Sequence, residues 1–277
     1  MSKCWVVIAA GGSGKRMKRR VPKQYLEIAG KTVIEHTMGA FLGHEIVSGV
    51  AVVTAPDDTR WKNVIPSHPK FLCQIEGGTE RCDSVLSGLE ALKAYAGLDD
   101  WVLVHDAARP CISKALIDKL VKKVMGHPVG GILGLPVTDT MKKTDNRDGI
   151  IQSVPRENIW RAQTPQMFHL NVLCGALSDL KQRNSIVTDE ASAMEFMGMR
   201  PLMVKGSEAN LKITTPSDLP LAEYFLAAEA KAALRAEKRT IFGSKKKNKK
   251  KTEDPAVEKA APKAGRILMK RPKFLDS

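Results

Sequence analysis

Short apolar segments alternate with amphipathic segments along the chain, and this alternation constrains the fold more than any other feature. Four apolar segments rich in β-branched side chains predict buried strands: residues 4–10, 50–54, 71–75 and 101–105. Apolar residues at helical spacing predict five helices: residues 32–41, 83–95, 114–125, 170–182 and 217–234. Strands that alternate with helices are typical of a mostly parallel sheet. We therefore predict an α/β fold with a Rossmann-like, mostly parallel sheet flanked by helices.

One region departs from this alternation. Residues 131–142 and 150–163 have the pattern of extended segments, and they flank a turn at residues 145–149 with no helix between them. Two strands joined directly by a turn form an antiparallel pair rather than a parallel crossover. We therefore predict a β-arm, over about residues 137–163, that protrudes from the domain.

The positive charge is concentrated at the carboxyl end. The chain has 44 Lys and Arg against 30 Asp and Glu, a net charge of +14, of which residues 237–277 contribute +9. The run of residues 244–255 has six Lys and no apolar side chain. Such a run repels itself and stays solvated, so we expect one folded domain over residues 1–236 and a disordered basic tail over residues 237–277. The alternative for the tail is a weak, non-specific contact with an anionic partner.

Several classes of protein are disfavoured by composition. No apolar run approaches the roughly 20 residues that span a bilayer, so no membrane span is expected. The amino-terminal residues lack the apolar length and the cleavage site of a secretory signal. Five scattered cysteines, with no C-x-x-C pair, argue against a disulfide framework or a zinc site. A cytoplasmic protein fits these features best.

Three polar segments follow predicted strands, at the ends where ligands bind in open α/β sheets. Their sequences are AAGGSGKRM, GGTERCDS and HDAARP. In the first, Gly11, Gly12 and Gly14 allow backbone N–H groups to approach a phosphate, and Arg16 and Lys23 follow with positive charge. The spacing fits neither a P-loop nor a dinucleotide-binding fingerprint. The three segments together predict an enzyme that acts on a phosphorylated ligand, without ATP hydrolysis or NAD binding.

The order of the motifs carries a resemblance to a known family. The glycine loop is followed by PKQY and then by seven further motifs: GGTER, DSV, HDAARP, DTMK, QTPQ, TDEAS and NLKIT. In this order they resemble the 2-C-methyl-D-erythritol 4-phosphate cytidylyltransferases, nucleotidyltransferases of the non-mevalonate isoprenoid pathway. The resemblance extends from about Trp5 to Leu226 and leaves out the basic tail.

The resemblance implies a reaction and a set of reacting groups. CMP would pass from CTP to the phosphate of methylerythritol phosphate, and pyrophosphate would leave. Cations and Mg²⁺ are what such a transfer requires, because negative charge builds up on the phosphoryl oxygens. The implied catalytic residues are Arg16, Lys23 and Lys212, and the implied Mg²⁺ ligand is Asp106.

The resemblance also implies the substrate-binding residues. Those of the nucleotide are Ala9, Ala10, Gly11, Gly78, Ser84 and Ala107. Those of the acceptor are Thr140, Arg156, Thr164, Thr188 and Asp189. In the family the β-arm exchanges between subunits, so a homodimer is implied, with Arg156 completing the site of the partner chain.

Two alternatives stay open from the sequence. The first is a cytidylyltransferase for another alcohol phosphate, such as ribitol 5-phosphate; the acceptor half of the chain, around residues 156–166 and 188–192, would distinguish it. The HDAARP and TDEAS motifs favour methylerythritol phosphate. The second is a non-catalytic nucleic-acid-binding protein that depends on the basic tail.

Overall fold

The computed structural model describes residues 3–12, 17, 21–183, 185 and 187–251, with the backbone alone from 236 onward. The chain divides into two units, Met1–Ala230 and Lys231–Ser277. The strands are β1 Cys4–Ala10, β2 Glu27–Ile28, β3 Lys31–Thr32, β4 Val47–Thr54, β5 Phe71–Glu76, β6 Trp101–Asp106, β7 Gly130–Pro136, β8 Met141–Thr144, β9 Ile150–Val154, β10 Trp160–His169 and β11 Leu202–Lys205. The helices are α1 Val33–Leu42, α2 Arg81–Leu92, α3 Lys114–Val124, α4 Leu170–Gln182, α5 Glu190–Phe196 and α6 Asp218–Lys251.

The first unit is built on a seven-stranded sheet with the order β11-β7-β10-β6-β1-β4-β5. β1 pairs in parallel with β4 and β6, β4 with β5, and β7 with β11. β10 is antiparallel to both of its neighbours, β6 and β7. The predicted α/β fold with a mostly parallel sheet is confirmed, and the carboxyl ends of β1, β4, β5 and β6 lie along one edge.

Both faces of the sheet are buried because successive strand residues point to opposite sides. In β1, Val6 and Ile8 pack with α1 and α3 on one face, whereas Trp5 and Val7 pack with α2, α4 and α5 on the other. The four residues are at most 6% exposed. This double burial explains why β1 is a continuous apolar run rather than an alternating one.

The predicted β-arm is present as a separate two-stranded antiparallel sheet of β8 and β9. Its side chains are almost all exposed. The segment that follows departs from the prediction, because β10 leaves the arm and enters the central sheet up to His169. The buried half of β10 contains polar residues, among them Gln163 and Gln166. An analysis of apolar patterns therefore does not detect this half of the strand.

The last helix is longer than predicted. It begins at Asp218 and continues to Lys251, through part of the segment expected to be a disordered tail. Ala, Glu, Lys and Arg dominate its later turns, and these residues have high helix propensity. Residues 252–277 of the predicted tail lie outside the described residues. Among the described residues, no helix combines the length and the apolar content needed to cross a membrane.

Candidate active site

A cavity of about 380 Å³ opens at the carboxyl ends of β1 and β6. All six residues predicted to bind the nucleotide lie in its wall: Ala9, Ala10, Gly11, Gly78, Ser84 and Ala107. Lys23, Lys212 and Asp106, predicted as catalytic or metal-binding, line it too. Arg16 lies outside the described residues. Its role, like those of the other site residues, stays a prediction.

The wall between β5 and α2 is formed by backbone packed against the helix. The N–H of Gly77 donates to the carbonyl of Thr54 at 2.8 Å, which continues the sheet by one residue. A Cβ on Gly77 would lie 2.4 Å from Oγ of Ser84, and one on Gly78 would lie 2.4 Å from Cβ of Asp83. Only glycine fits at either position, because a side chain would run into α2, and of the two residues Gly78 lines the cavity.

Lys23 lies in a short 3₁₀ turn, Lys23–Tyr25, that is fixed by its two other side chains. The amide of Gln24 donates to the carbonyl of Ala10 at 2.8 Å. The hydroxyl of Tyr25 donates to Asp58 at 2.7 Å. The ammonium of Lys23 donates to the carbonyl of Ile213 at 2.9 Å. The turn therefore holds a cation beside the end of β1.

The Asp106 carboxylate is a buried negative charge in the cavity wall. The residue is 7% exposed, and its carboxylate faces three cations. Nζ of Lys212 lies 2.9 Å from Oδ2, Nε of Arg109 lies 3.4 Å from Oδ2, and NH2 of Arg81 lies 3.3 Å from Oδ1. Burial alone would raise the pKa of Asp106, but these positive charges hold it well below its ordinary value. The carboxylate is therefore ionised throughout the neutral range.

Arg81 also binds a second buried carboxylate, Glu190. NH1 and NH2 of Arg81 lie 2.5 and 3.1 Å from the two oxygens of Glu190, which is 1% exposed. Burial raises the pKa of Glu190, and Arg81 opposes that shift. The two carboxylates raise the pKa of Arg81, against the effect of its own burial. Both residues lie inside motifs of the sequence analysis, but no sequence pattern relates positions that are 109 residues apart.

The residues predicted to bind the acceptor are not gathered in this cavity. Thr164 is buried, and its Oγ1 accepts a hydrogen bond from the backbone N–H of Asp106 at 3.1 Å. Asp189 caps α5 and accepts from the backbone N–H of Ser192. Thr188 lines a neighbouring cavity between α2 and α4. Two predicted acceptor residues, Thr140 and Arg156, are exposed in and beside the β-arm.

The cavity fits a metal that arrives with a phosphorylated ligand. Among the described residues, no group of three or more His, Cys, Asp and Glu side chains could hold a metal by itself. Asp106 and Glu80 are the carboxylates in the cavity wall. Mg²⁺ is commonly bound by one or two carboxylates together with water and substrate phosphates. The donor set is therefore compatible with Mg²⁺.

His105 is buried, precedes Asp106 in the sequence and contacts two residues that bind Asp106, namely Arg109 and Thr164. Its ring is fully buried, Nε2 lies 3.1 Å from the carbonyl of Arg109, and Nδ1 lies 3.0 Å from Oγ1 of Thr164. The ring packs edge-on against Phe41. Burial is the main cause that lowers the pKa of His105 to about 4. The residue is therefore neutral at neutral pH, and its contacts are internal to the protein.

The depressed pKa of His105 predicts a loss of stability in mild acid. Unfolded histidine binds a proton near its ordinary pKa of about 6.5, whereas the folded state resists protonation until about pH 4. Stability contributed by neutral His105 is therefore present above about pH 6.5 and is lost as the pH falls towards 4, by up to about 3 kcal/mol. Denaturant unfolding at several pH values measures this loss.

His105→Gln should lose less free energy of unfolding than the unsubstituted chain over the same pH range. His68→Gln is the control, because His68 is only half-buried and does not line the cavity. Parallel pH dependence of the unsubstituted and His105→Gln proteins would contradict the assignment.

Comparison with known proteins relates the chain to one group of enzymes. Residues 4–228 match the sequence model of the family described as 2-C-methyl-D-erythritol 4-phosphate cytidylyltransferase. A protein of that name from Pseudomonas fluorescens (strain Pf0-1) is 46% identical over 216 residues, which cover 78% of this chain and 92% of the relative. Another from Vibrio vulnificus (strain YJ016) is 45% identical over 230 residues, covering 83% and 97%.

Two solved structures are similar in both fold and sequence. A crystal structure of 4-diphosphocytidyl-2C-methyl-D-erythritol synthase has a TM-score of 0.71 and 37% identity, and the match covers 82% of this chain and 100% of that one. A crystal structure of the Francisella tularensis 2-C-methyl-D-erythritol 4-phosphate cytidylyltransferase has a TM-score of 0.71 and 35% identity, covering 81% and 100%.

Proposed function

This chain belongs to the 2-C-methyl-D-erythritol 4-phosphate cytidylyltransferase family, and we propose that the cavity at the carboxyl ends of β1 and β6 is its active site. The reaction of the family transfers CMP from CTP to 2-C-methyl-D-erythritol 4-phosphate and releases pyrophosphate. The observation that carries the assignment of the site is the convergence of the predicted nucleotide residues with Lys23, Lys212 and Asp106 on one cavity.

The described residues suit the chemistry of such a transfer. An oxygen of the acceptor phosphate attacks the α-phosphorus of CTP, and the bond from that phosphorus to the pyrophosphate oxygen breaks. Two anions must approach each other, so the protein contributes mainly positioning and positive charge. Lys23 and Lys212 supply that charge from parts of the sequence far apart, and the family resemblance assigns the same role to Arg16. No residue needs to form a covalent intermediate.

The small residues in the cavity wall are assigned to the nucleoside. Ala9, Ala10, Gly11 and Gly78 leave the backbone accessible, and main-chain N–H and C=O groups can hydrogen-bond to a base edge or a ribose. Ser84 lies beside them, with its hydroxyl donating to the carbonyl of Glu80 at 3.1 Å. Recognition by fixed backbone groups favours one base shape over others.

We assign Mg²⁺ to Asp106. Bound there, the ion would neutralise charge on the triphosphate oxygens. The carboxylate is held at a fixed position because Thr164 binds its backbone N–H and three cations contact its oxygens. A fixed, ionised carboxylate is what such a site requires of the protein.

The acceptor site is assigned to two subunits. Thr140 and Arg156 are exposed in one chain, where the guanidinium of Arg156 donates to the carbonyl of Thr138. β9 also exposes two large apolar side chains, Ile150 at 67% and Ile151 at 57%. Exposed apolar side chains on a protruding arm are typical of a contact surface. A homodimer in which each arm reaches the other chain would bury them and would bring Arg156 to a neighbouring cavity.

Lys23→Ala should lower pyrophosphate release in the presence of CTP, Mg²⁺ and methylerythritol phosphate by about 10²–10³-fold, because a preorganised cation is removed from the reacting phosphate. The matched control is Lys93→Ala, which removes a Lys from a surface pair with Glu90 on α2. Unchanged turnover in Lys23→Ala would contradict the assignment of this residue.

Mixing two inactive variants tests the shared site. Arg156→Ala and Lys23→Ala, refolded together in equal amounts, should regain about a quarter of the unsubstituted activity, because half of the dimers then contain one intact site of two. Each variant refolded alone should stay inactive. Absence of any recovery, with dimers present by light scattering, would contradict a site composed of two chains.

For the basic tail we propose a weak contact with polyanions that plays no part in turnover. Its charge of +9 carries this proposal, and none of the matched motifs lies in it. A chain shortened after Arg235 should keep its rate of pyrophosphate release and lose salt-sensitive retention of duplex DNA. Loss of turnover, or unchanged DNA retention, would contradict the proposal.

A further inference from the structure

We propose that Arg81 is a positioning residue that holds the Asp106 carboxylate for Mg²⁺, and that Glu190 prevents Arg81 from neutralising that carboxylate. This inference rests on the proposed function, because it takes the metal to bind at Asp106. It adds two residues to the site, neither of which was among the predicted site residues.

The guanidinium of Arg81 donates hydrogen bonds to two carboxylates, those of Glu190 and Asp106. On one side NH1 and NH2 of Arg81 reach the oxygens of Glu190 at 2.5 and 3.1 Å. On the other side Nε and NH2 both lie 3.3 Å from Oδ1 of Asp106. The shorter bonds go to Glu190, so Arg81 is bound chiefly to that residue and orients Asp106 through longer, more easily exchanged contacts.

The balance of charge depends on Glu190. Within the part of the chain that the structure describes, three cations contact Asp106, namely Arg81, Arg109 and Lys212, and Glu190 is the second anion in contact with this group. The five charges sum to +1. Without the charge of Glu190 the sum would be +2, which disfavours a divalent cation at Asp106. Because Glu190 is 1% exposed, solvent cannot supply the missing screening.

The position of Glu190 beside Arg81 is fixed by hydrogen bonds at the N-terminus of α5. It is the first residue of α5, whose N-terminus is tied to β10 through Gln166. The amide oxygen of Gln166 accepts from the N–H of Ala191 at 2.8 Å, and its amide nitrogen donates to Asp189 at 2.9 Å. A chain of contacts therefore runs from β10 through α5 and Arg81 to Asp106.

Glu190→Gln tests the inference because it keeps the shape of the side chain and removes its charge. We expect the Mg²⁺ concentration that gives half-maximal pyrophosphate release to rise about tenfold, as is typical when a residue behind a metal ligand is changed. The KM for methylerythritol phosphate should stay unchanged. Binding of Mn²⁺ in the presence of CTP, without acceptor and therefore without turnover, should weaken by the same factor in electron paramagnetic resonance.

Arg81→Lys provides a second variant that keeps the positive charge but cannot bridge both carboxylates. We expect the same weakening of Mn²⁺ binding, and this variant decides the matter if Glu190→Gln does not fold. The matched control is Glu90→Gln on α2, which removes an exposed partner of Lys93 and should leave metal binding unchanged.

Two outcomes would overturn the inference. If both variants lower the melting temperature but keep the metal dependence, the ion pair only joins α2 to α5. If CTP binding weakens equally with and without metal, Arg81 contacts the nucleotide directly. Failure of the proposed function is a separate result, since the unsubstituted chain would then release no pyrophosphate from CTP and methylerythritol phosphate.

Discussion

A buried carboxylate surrounded by cations organises the site of this protein. Asp106 is ionised although it is almost completely removed from water, and this state is possible only because Arg81, Arg109 and Lys212 surround it. These cations come from the start of α2, from the loop after β6 and from the segment after β11. The charge of one aspartate thus binds together parts of the chain that are remote in sequence, and the cavity forms where they meet.

The architecture of the sheet could largely be predicted, because strands buried on both faces leave a clear apolar signature. β1, β4, β5 and β6 were predicted close to their observed bounds for this reason. β11 and α5 were not, and the extended segment predicted over residues 150–163 covered only the first four residues of β10. β10 carries buried polar residues such as Gln163 and Gln166, which bond to side chains and backbone far away in sequence. β11 and α5 are four and seven residues long, too short for a pattern to be recognised.

The grouping in one cavity wall of the six residues assigned to the nucleotide was predictable, because they lie within short motifs at the ends of strands. The pairing of Arg81 with Glu190 was not, because only folding brings the two side chains together. The residues assigned to the acceptor behave differently, since Thr140 and Arg156 are exposed and do not line the cavity within one chain. The local sequence determines which functional groups are present, whereas contacts between groups that are distant in sequence form only when the chain folds.

The bond between Lys212 and Asp106 has a consequence for the order of events in the cavity. Lys212 and Asp106 already form an ion pair with each other. Binding of a lone anion to Lys212, or of a lone cation to Asp106, therefore gains little free energy, because it breaks this pair. A ligand that carries both signs at once can exchange partners with both side chains in one step. Under the proposed function, this pairing favours a metal that arrives together with a polyphosphate over either ion alone.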